Sequence, residues 1–321
     1  MTDAGTTQLA ALDAGVMRPD GPTRPTGTRP PRAMRVEGAA WLFLSPFLLV
    51  FTVFVVYPLG KSLVLAFQQT YGPFDTEWVG WSNFRNLIGD DLFLLAVRNT
   101  AVYTLGSLFI QLPLALGLAM LLNRPGLKGR GIYRLIFFSP QLMGLVFAAM
   151  LAALVFEKRA GLLNQALHAA FGFDLDFPWL QTHVMWTLIL TSLWMYVGYN
   201  MIFFLAALQN IDKSLLEAAS VDGAGPKARF LNVTVPSIRP VASVVVLLSV
   251  IGSLQLFELP WIMLESTPGP GNRGLTIVMY LYQKGFETGD LGYASAIGWV
   301  LAIMLIGLAL VQLWIVRREE R

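Results

Sequence analysis

Two groups of residues in this chain have types and spacings that could do chemistry, and in both the chemistry is non-covalent. The first group lies inside long apolar runs. Ser249, Gly252, Ser253 and Leu256 fall at i, i+3, i+4 and i+7, so a helix puts them on one face. Trp194, Tyr196, Tyr199 and Asn200 sit in the middle of another run, where their polar tips need protein or water partners. Aromatic faces beside hydroxyl and amide groups suit sugars, which present apolar C–H faces and many hydroxyls. Small residues and serines are also common glue between membrane helices, and on the residues alone the two readings stand level. Glu258 is the one acid within the apolar runs away from their ends. It lies 18 residues beyond Pro240, about 27 Å along a helix at 1.5 Å per residue, which predicts a polar group at the outer rim. Gln255, one turn below, is placed to hydrogen-bond it or a sugar.

The second group is Glu217-Ala218-Ala219-Ser220-Val221-Asp222-Gly223-Ala224-Gly225-Pro226, a charged, turn-rich segment enclosed by apolar runs. Leu215, Leu216, Ala218 and Ala219 predict a short helix with few side-chain torsions to freeze. Asp222-Gly223 breaks it, because glycine accepts backbone angles that a Cβ resists. Pro226 suits a first helical turn, and Phe230, Leu231 and Thr234 recur at helical spacing. Pro236 and Pro240 are expected to end this second helix before the next apolar run. A helix–turn–helix with small side chains on its first helix suits docking into another protein's groove.

Covalent chemistry finds little to stand on. A P-loop needs G-x-x-x-x-G-K-[ST]; Pro268-Gly269-Pro270-Gly271-Asn272-Arg273-Gly274 is glycine-rich but lacks the lysine and reads as a turn. There is no Ser/His/Asp cluster and no intramembrane pair of carboxylates, so neither hydrolysis nor a proton relay is indicated. His168 and His183 lie fifteen residues apart in an expected loop and make no metal pair, and with no cysteine there is no disulfide or thiolate metal site.

The elements that carry both groups follow from composition. Of 321 residues, 55% are hydrophobic and 13% charged, too few charges to cover a soluble protein of this size. Six runs are long enough to cross about 30 Å of hydrocarbon: roughly Trp41–Phe67, Asn99–Leu122, Ile132–Val155, Val184–Leu208, Val241–Ile262 and Leu291–Val316. Helices are expected, because no alternating ten-residue pattern suggests a barrel. Residues 1–40, rich in Thr, Gly, Pro and Arg, read as a disordered basic tail. The run that follows is too long for a signal-peptide core and is read as a retained span.

Six spans put both termini on one side. Sixteen of the 23 lysines and arginines fall in the N-tail, the 123–134 turn, the Glu217 loop and residues 317–321. The other seven are Lys61, Arg85, Arg98, Lys158, Arg159, Arg273 and Lys284. The positive-inside rule therefore places the termini and the 209–239 loop in the cytoplasm.

The spacing Glu217-Ala218-Ala219, Gly223, Val233, Val235, Pro236 resembles the EAA loop of ABC-importer permeases, with valines where that family usually has Ile and Leu. The segments Trp78–Arg85 with Arg98-Asn99-Thr100, Gly161–Asn164, Gly269–Asn272 and Leu291–Ala296 are also similar to the carbohydrate permeases of this group, so the likeness covers about residues 40–316. It implies an all-α membrane protein with six transmembrane helices in the type I ABC importer permease fold and a cytoplasmic coupling helix. Glu217, Ala218, Ala219, Asp222, Gly223, Ala224, Phe230 and Pro236 would then meet the ATPase. The path would be lined by Tyr196, Tyr199, Asn200, Ser249, Gly252, Ser253, Gln255, Leu256 and Glu258. Tyr196 and Leu256 match the group less well in type, so the cargo is expected to differ from maltose.

The implied partners are a second related permease, two ATPase subunits that bind ATP and Mg, and an extracytoplasmic solute-binding protein. This chain itself would be no enzyme and hold no cofactor, and it would reside in a bacterial or archaeal cytoplasmic membrane. The rival class is a self-contained secondary transporter or channel for a polar solute. It would need discontinuous repeat helices or paired intramembrane acids, and would leave the Glu217 loop unexplained.

Overall fold

The structure, a computed structural model, describes residues 34–71 and 75–319. The chain divides into two compact units, 1–57 and 58–321. In the first, Met34–Phe51 is helical and passes through a π-turn at Thr52–Val56 into Tyr57. The expected disordered tail lies outside the described residues up to position 33; from Met34 to residue 40 the chain is already helix, which corrects that part of the tail. The apolar helix as a whole runs Ala40–Leu65.

In the second unit the remaining apolar runs are helices, with boundaries set by tertiary partners. The second span begins at Asp91, eight residues before the expected start, and ends at Leu122. Asp90 caps it, accepting from the backbone N–H groups of Leu92 (3.0 Å) and Phe93 (3.2 Å). The fourth span is Val184–Gln209 and the sixth Leu291–Arg318. The third is two helices, Arg130–Leu142 and Leu145–Val155, bent by 97° at their junction. Gly144 makes the corner at φ 79°, a backbone setting that a Cβ disfavours.

The fifth span differs most from expectation. Pro226–Leu254 is one continuous stretch, with Pro236 and Pro240 inside it rather than at a boundary. A π-turn at Phe230–Thr234, closed by the Val235 N–H donating to the Phe230 carbonyl, widens the helix just before Pro236. Ser237 Oγ donates to the Val233 carbonyl at 2.7 Å, and Ser243 Oγ donates to that of Pro240 at 2.8 Å. The widened turn before Pro236 is one way a helix accommodates proline. The helix then stops at Leu254 rather than reaching Ile262, and a short helix, Glu258–Met263, follows.

The connecting segments at the end away from the 209–239 loop are structured by buried amides. Asn83 Nδ2 donates to the carbonyls of Ala66 (3.0 Å) and Gln68 (2.9 Å), beside an antiparallel pair of strands, Gln68–Thr70 and Thr76–Trp78. Asn164 Nδ2 donates to the Lys158 and Phe177 carbonyls, and its Oδ1 accepts from Trp179 Nε1 at 2.7 Å. Asn99 Nδ2 donates to the carbonyls of Asn272 and Leu275, both at 3.0 Å. Each amide satisfies carbonyls that irregular backbone would otherwise bury unpaired. Spans in this unit still expose large apolar groups, Phe109, Ile306 and Trp314 among them, as helices in contact with lipid or partner chains do.

Candidate translocation cavity and coupling loop

Four spans converge on one cavity of about 340 Å³. The fourth span contributes Tyr196, Tyr199 and Asn200, at i, i+3 and i+4 on one helical face. Ser249, Gly252 and Ser253 come from the fifth span, with Gln255 and Leu256 just past its end and Glu258 opening the short helix. All nine residues singled out for the path therefore line a single space. Glu258 is exposed there, but not as expected: the helix that was to carry it has already ended, and it sits after a break rather than at a helical rim.

That break is held by Thr276. Its side chain is fully buried, and its Oγ1 donates to the Leu256 carbonyl at 2.7 Å. The Met279 N–H donates to the same Oγ1. The Ile277 N–H in turn donates to Thr100 Oγ1 at 3.1 Å, tying the segment to the second span. Freed carbonyls at a helix end need such partners when water is excluded.

The sequence analysis missed the opposite wall. Tyr103, Ser107 and Gln111 of the second span line the cavity, as do Gln141 and Leu145 on either side of the bend at Gly144. Ser107–Gln111 is itself a π-turn, closed by the Leu112 N–H donating to the Ser107 carbonyl. The four-residue spacing of Tyr103, Ser107 and Gln111 was a readable signal of a polar face. Gln141, a polar residue inside the third apolar run, was readable on the ground that such groups need partners. Trp194, named with the fourth-span aromatics, is exposed and is not part of this lining.

The candidate coupling segment is a nine-residue helix, Lys213–Val221, followed by a turn and the start of the fifth span. Asp212 caps it through the Ser214 N–H at 2.9 Å, and this bond holds the Asp212 carboxyl below its usual range. Glu217, Ala218 and Asp222 are exposed, while Ala219 and Ala224 are half-buried. Gly223 takes φ +77°, and the Ala224 N–H returns to the Ala219 carbonyl at 2.9 Å. Phe230 opens the π-turn, and Pro236 is exposed on the continuing helix. Leu215 and Val221 add exposed apolar surface to the same short helix.

At the far end of the bundle, Asp90 Oδ2 accepts from the hydroxyls of Tyr280 at 2.5 Å and Tyr293 at 2.7 Å. Burial pushes its carboxyl up, but the two phenols and the backbone N–H groups of Phe93 and Leu92 outweigh that and leave it lowered. Lys284 Nζ lies 5.4 Å from the Tyr280 ring centre and 5.6 Å from that of Tyr293.

Residues 111–321 match the family described as "binding-protein-dependent transport system inner membrane component". The arabinooligosaccharides transport system permease protein AraP of Bacillus subtilis is 35% identical over 86% of this chain and 88% of its own length. The lactose transport system permease protein LacF of Rhizobium radiobacter is 34% identical over 87% and 94%. The sn-glycerol-3-phosphate transport system permease protein UgpA of Yersinia pestis is 32% identical over 88% and 95%. A chain from the crystal structure of a bacterial ABC transporter that imports the acidic polysaccharide alginate superimposes with a TM-score of 0.76, at 24% identity, covering 89% of this chain and 97% of that one; this likeness bears on the fold. With the permease fold and these relatives in place, the chain belongs to the inner-membrane permease components of binding-protein-dependent ABC transport systems.

Proposed function

We propose that the chain forms half of the translocation path of a carbohydrate importer and transmits ATPase movement to it through the 209–239 loop. The observation that carries this reading is the convergence of Tyr196, Tyr199, Asn200, Ser249, Gly252, Ser253, Gln255, Leu256 and Glu258 on one cavity. Aromatic faces bordered by hydroxyls and amides match the surface of a sugar. The names of the arabinooligosaccharide and lactose permeases support the same class of cargo.

A second, related permease completes the path in this reading, two ATPase subunits bind ATP and Mg, and a solute-binding protein delivers the sugar outside. The exposed helix Lys213–Val221, with Glu217 on it, docks on an ATPase. Both termini and this loop lie in the cytoplasm, supported by the distribution of basic residues.

The test is uptake by the complete transporter in proteoliposomes, with arabinotriose and lactose as probes. Tyr199→Ala removes a stacking face and a hydroxyl, on the order of 1–3 kcal/mol of cargo interaction. Uptake should fall while assembly and basal ATPase activity persist. Unchanged uptake, or failed assembly, would return the cavity residues to a packing role.

A further inference from the structure

The cavity is one-sided in charge. Among the described residues lining it, Glu258 supplies a carboxylate and none is a lysine, arginine or histidine. The Glu258 side chain is exposed.

The hydrogen-bonding inventory leans the same way. The side-chain carbonyl oxygens of Gln111 and Gln141 are buried and accept no hydrogen bond among the described residues. Gln111 is only 4% exposed. Both line the cavity, Gln111 at the end of the π-turn and Gln141 three residues before Gly144, at the bend. Buried acceptors without donors carry a desolvation cost, and π-turns are frequent at functional sites.

We propose that this half of the path selects an uncharged, hydroxyl-rich saccharide and disfavours anionic cargo. The Glu258 carboxylate accepts hydroxyls of the sugar and repels phosphate and uronate groups. The proposal rests on the carbohydrate reading above and narrows it. The relatives' names span both charge types, from lactose to sn-glycerol 3-phosphate, so overall likeness leaves the sign of the cargo open.

The experiment measures retention of radiolabelled probes by the complete transporter in nanodiscs. Arabinotriose and lactose are the neutral probes; digalacturonate and sn-glycerol 3-phosphate are the anionic ones. The wild type should retain a neutral probe at least tenfold better than either anion, and added salt should narrow the gap, because a charge effect is screened. Glu258→Gln keeps shape and removes the charge, and should raise anion retention relative to neutral by about tenfold. Gln255→Lys, on an exposed lining position, adds a cation and should shift the ratio the same way, which decides the matter if the first variant fails to assemble.

A wild type that retains anions as well as neutral sugars overturns the proposal and leaves the carbohydrate reading standing. An anion-to-neutral ratio that neither variant moves does the same. Retention of no saccharide of either charge overturns both.

Discussion

A Cβ on Gly198 would sit 1.8 Å from the carbonyl oxygen of Phe137 and 2.3 Å from its carbonyl carbon. The fourth span and the first half of the third are therefore in backbone contact, at a point between Tyr196 and Tyr199 on one helix and just before Gln141 on the other. The obstacle is main chain, which cannot swing aside as a side-chain tip can. This contact sets the distance between two walls of the cavity.

Gly198→Ala should accordingly cost at least the ~1–3 kcal/mol typical of overpacking, and shift the bent third span away from the fourth. Gly252 is the matched control, because a Cβ there meets nothing within 4 Å. Gly252→Ala should leave the melting temperature of the purified complex near wild type and alter uptake, since its methyl enters the cavity wall. Equal thermal stability of the two variants would show that the Gly198 contact does not hold the walls.

Asp90 ties the start of the second span to Tyr280 and Tyr293. Asp90→Asn leaves shape but removes the charge that strengthens these bonds, at a cost of about 1.5–3 kcal/mol. The carboxyl is lowered in the folded state, so the stability it adds is complete above its ordinary value of 3.8. That stability is lost as pH falls through the depressed folded value. The gap in melting temperature between wild type and variant should stay constant from about pH 8 to pH 5 and close only in more acid solution. A gap that narrows steadily from pH 7 to pH 5 would mean another group supplies the effect.

The apolar runs and the Glu217 spacing were legible because periodicity and turn chemistry are local. The nine residues expected along the path, named from helical spacing and the family resemblance, all line one cavity, and those that are polar had to find partners somewhere inside an apolar run. The span ends were not legible, because distant partners decide them. The fifth span stops at Leu254, where Gly252 in the last turn is only a weak local signal; the break is held by Thr276, twenty residues past Leu256. Pro236 looked like a terminator, and the π-turn at Phe230–Thr234 absorbs it. Nor was the 97° bend that follows Gln141 legible.

Orientation has its own test. A reporter active only in the cytoplasm should work when fused after Arg321 and fail when inserted beside Asp174, which is exposed between the third and fourth spans. Activity at Asp174 and silence at Arg321 would reverse the assignment, and the 209–239 loop could not then meet an ATPase.

The proposed coupling role of the 209–239 loop can be tested at a turn whose strain is purely backbone. Gly223 sits at φ +77°, and a Cβ there meets nothing within 4 Å, so a side chain has room but the wrong torsion. Gly223→Val should cost about 1 kcal/mol or more locally and tilt the helix Lys213–Val221 against its partner. Gly225, two residues on, has equal room and φ −66°, a setting any residue adopts. Gly225→Ala should therefore couple normally. Glu217→Ala keeps helix propensity and removes an exposed charge from the docking face. All three variants should insert and bind the partner permease, because the spans are untouched. Gly223→Val and Glu217→Ala should lose substrate-stimulated ATPase activity and uptake together, with the glycine variant the more severe. Reconstitution of each with the ATPase subunits, assaying both activities on the same sample, separates these outcomes. Full coupled transport in both variants would show that this loop is not the transmission element, and impaired coupling in Gly225→Ala would show that room rather than torsion is what the turn requires.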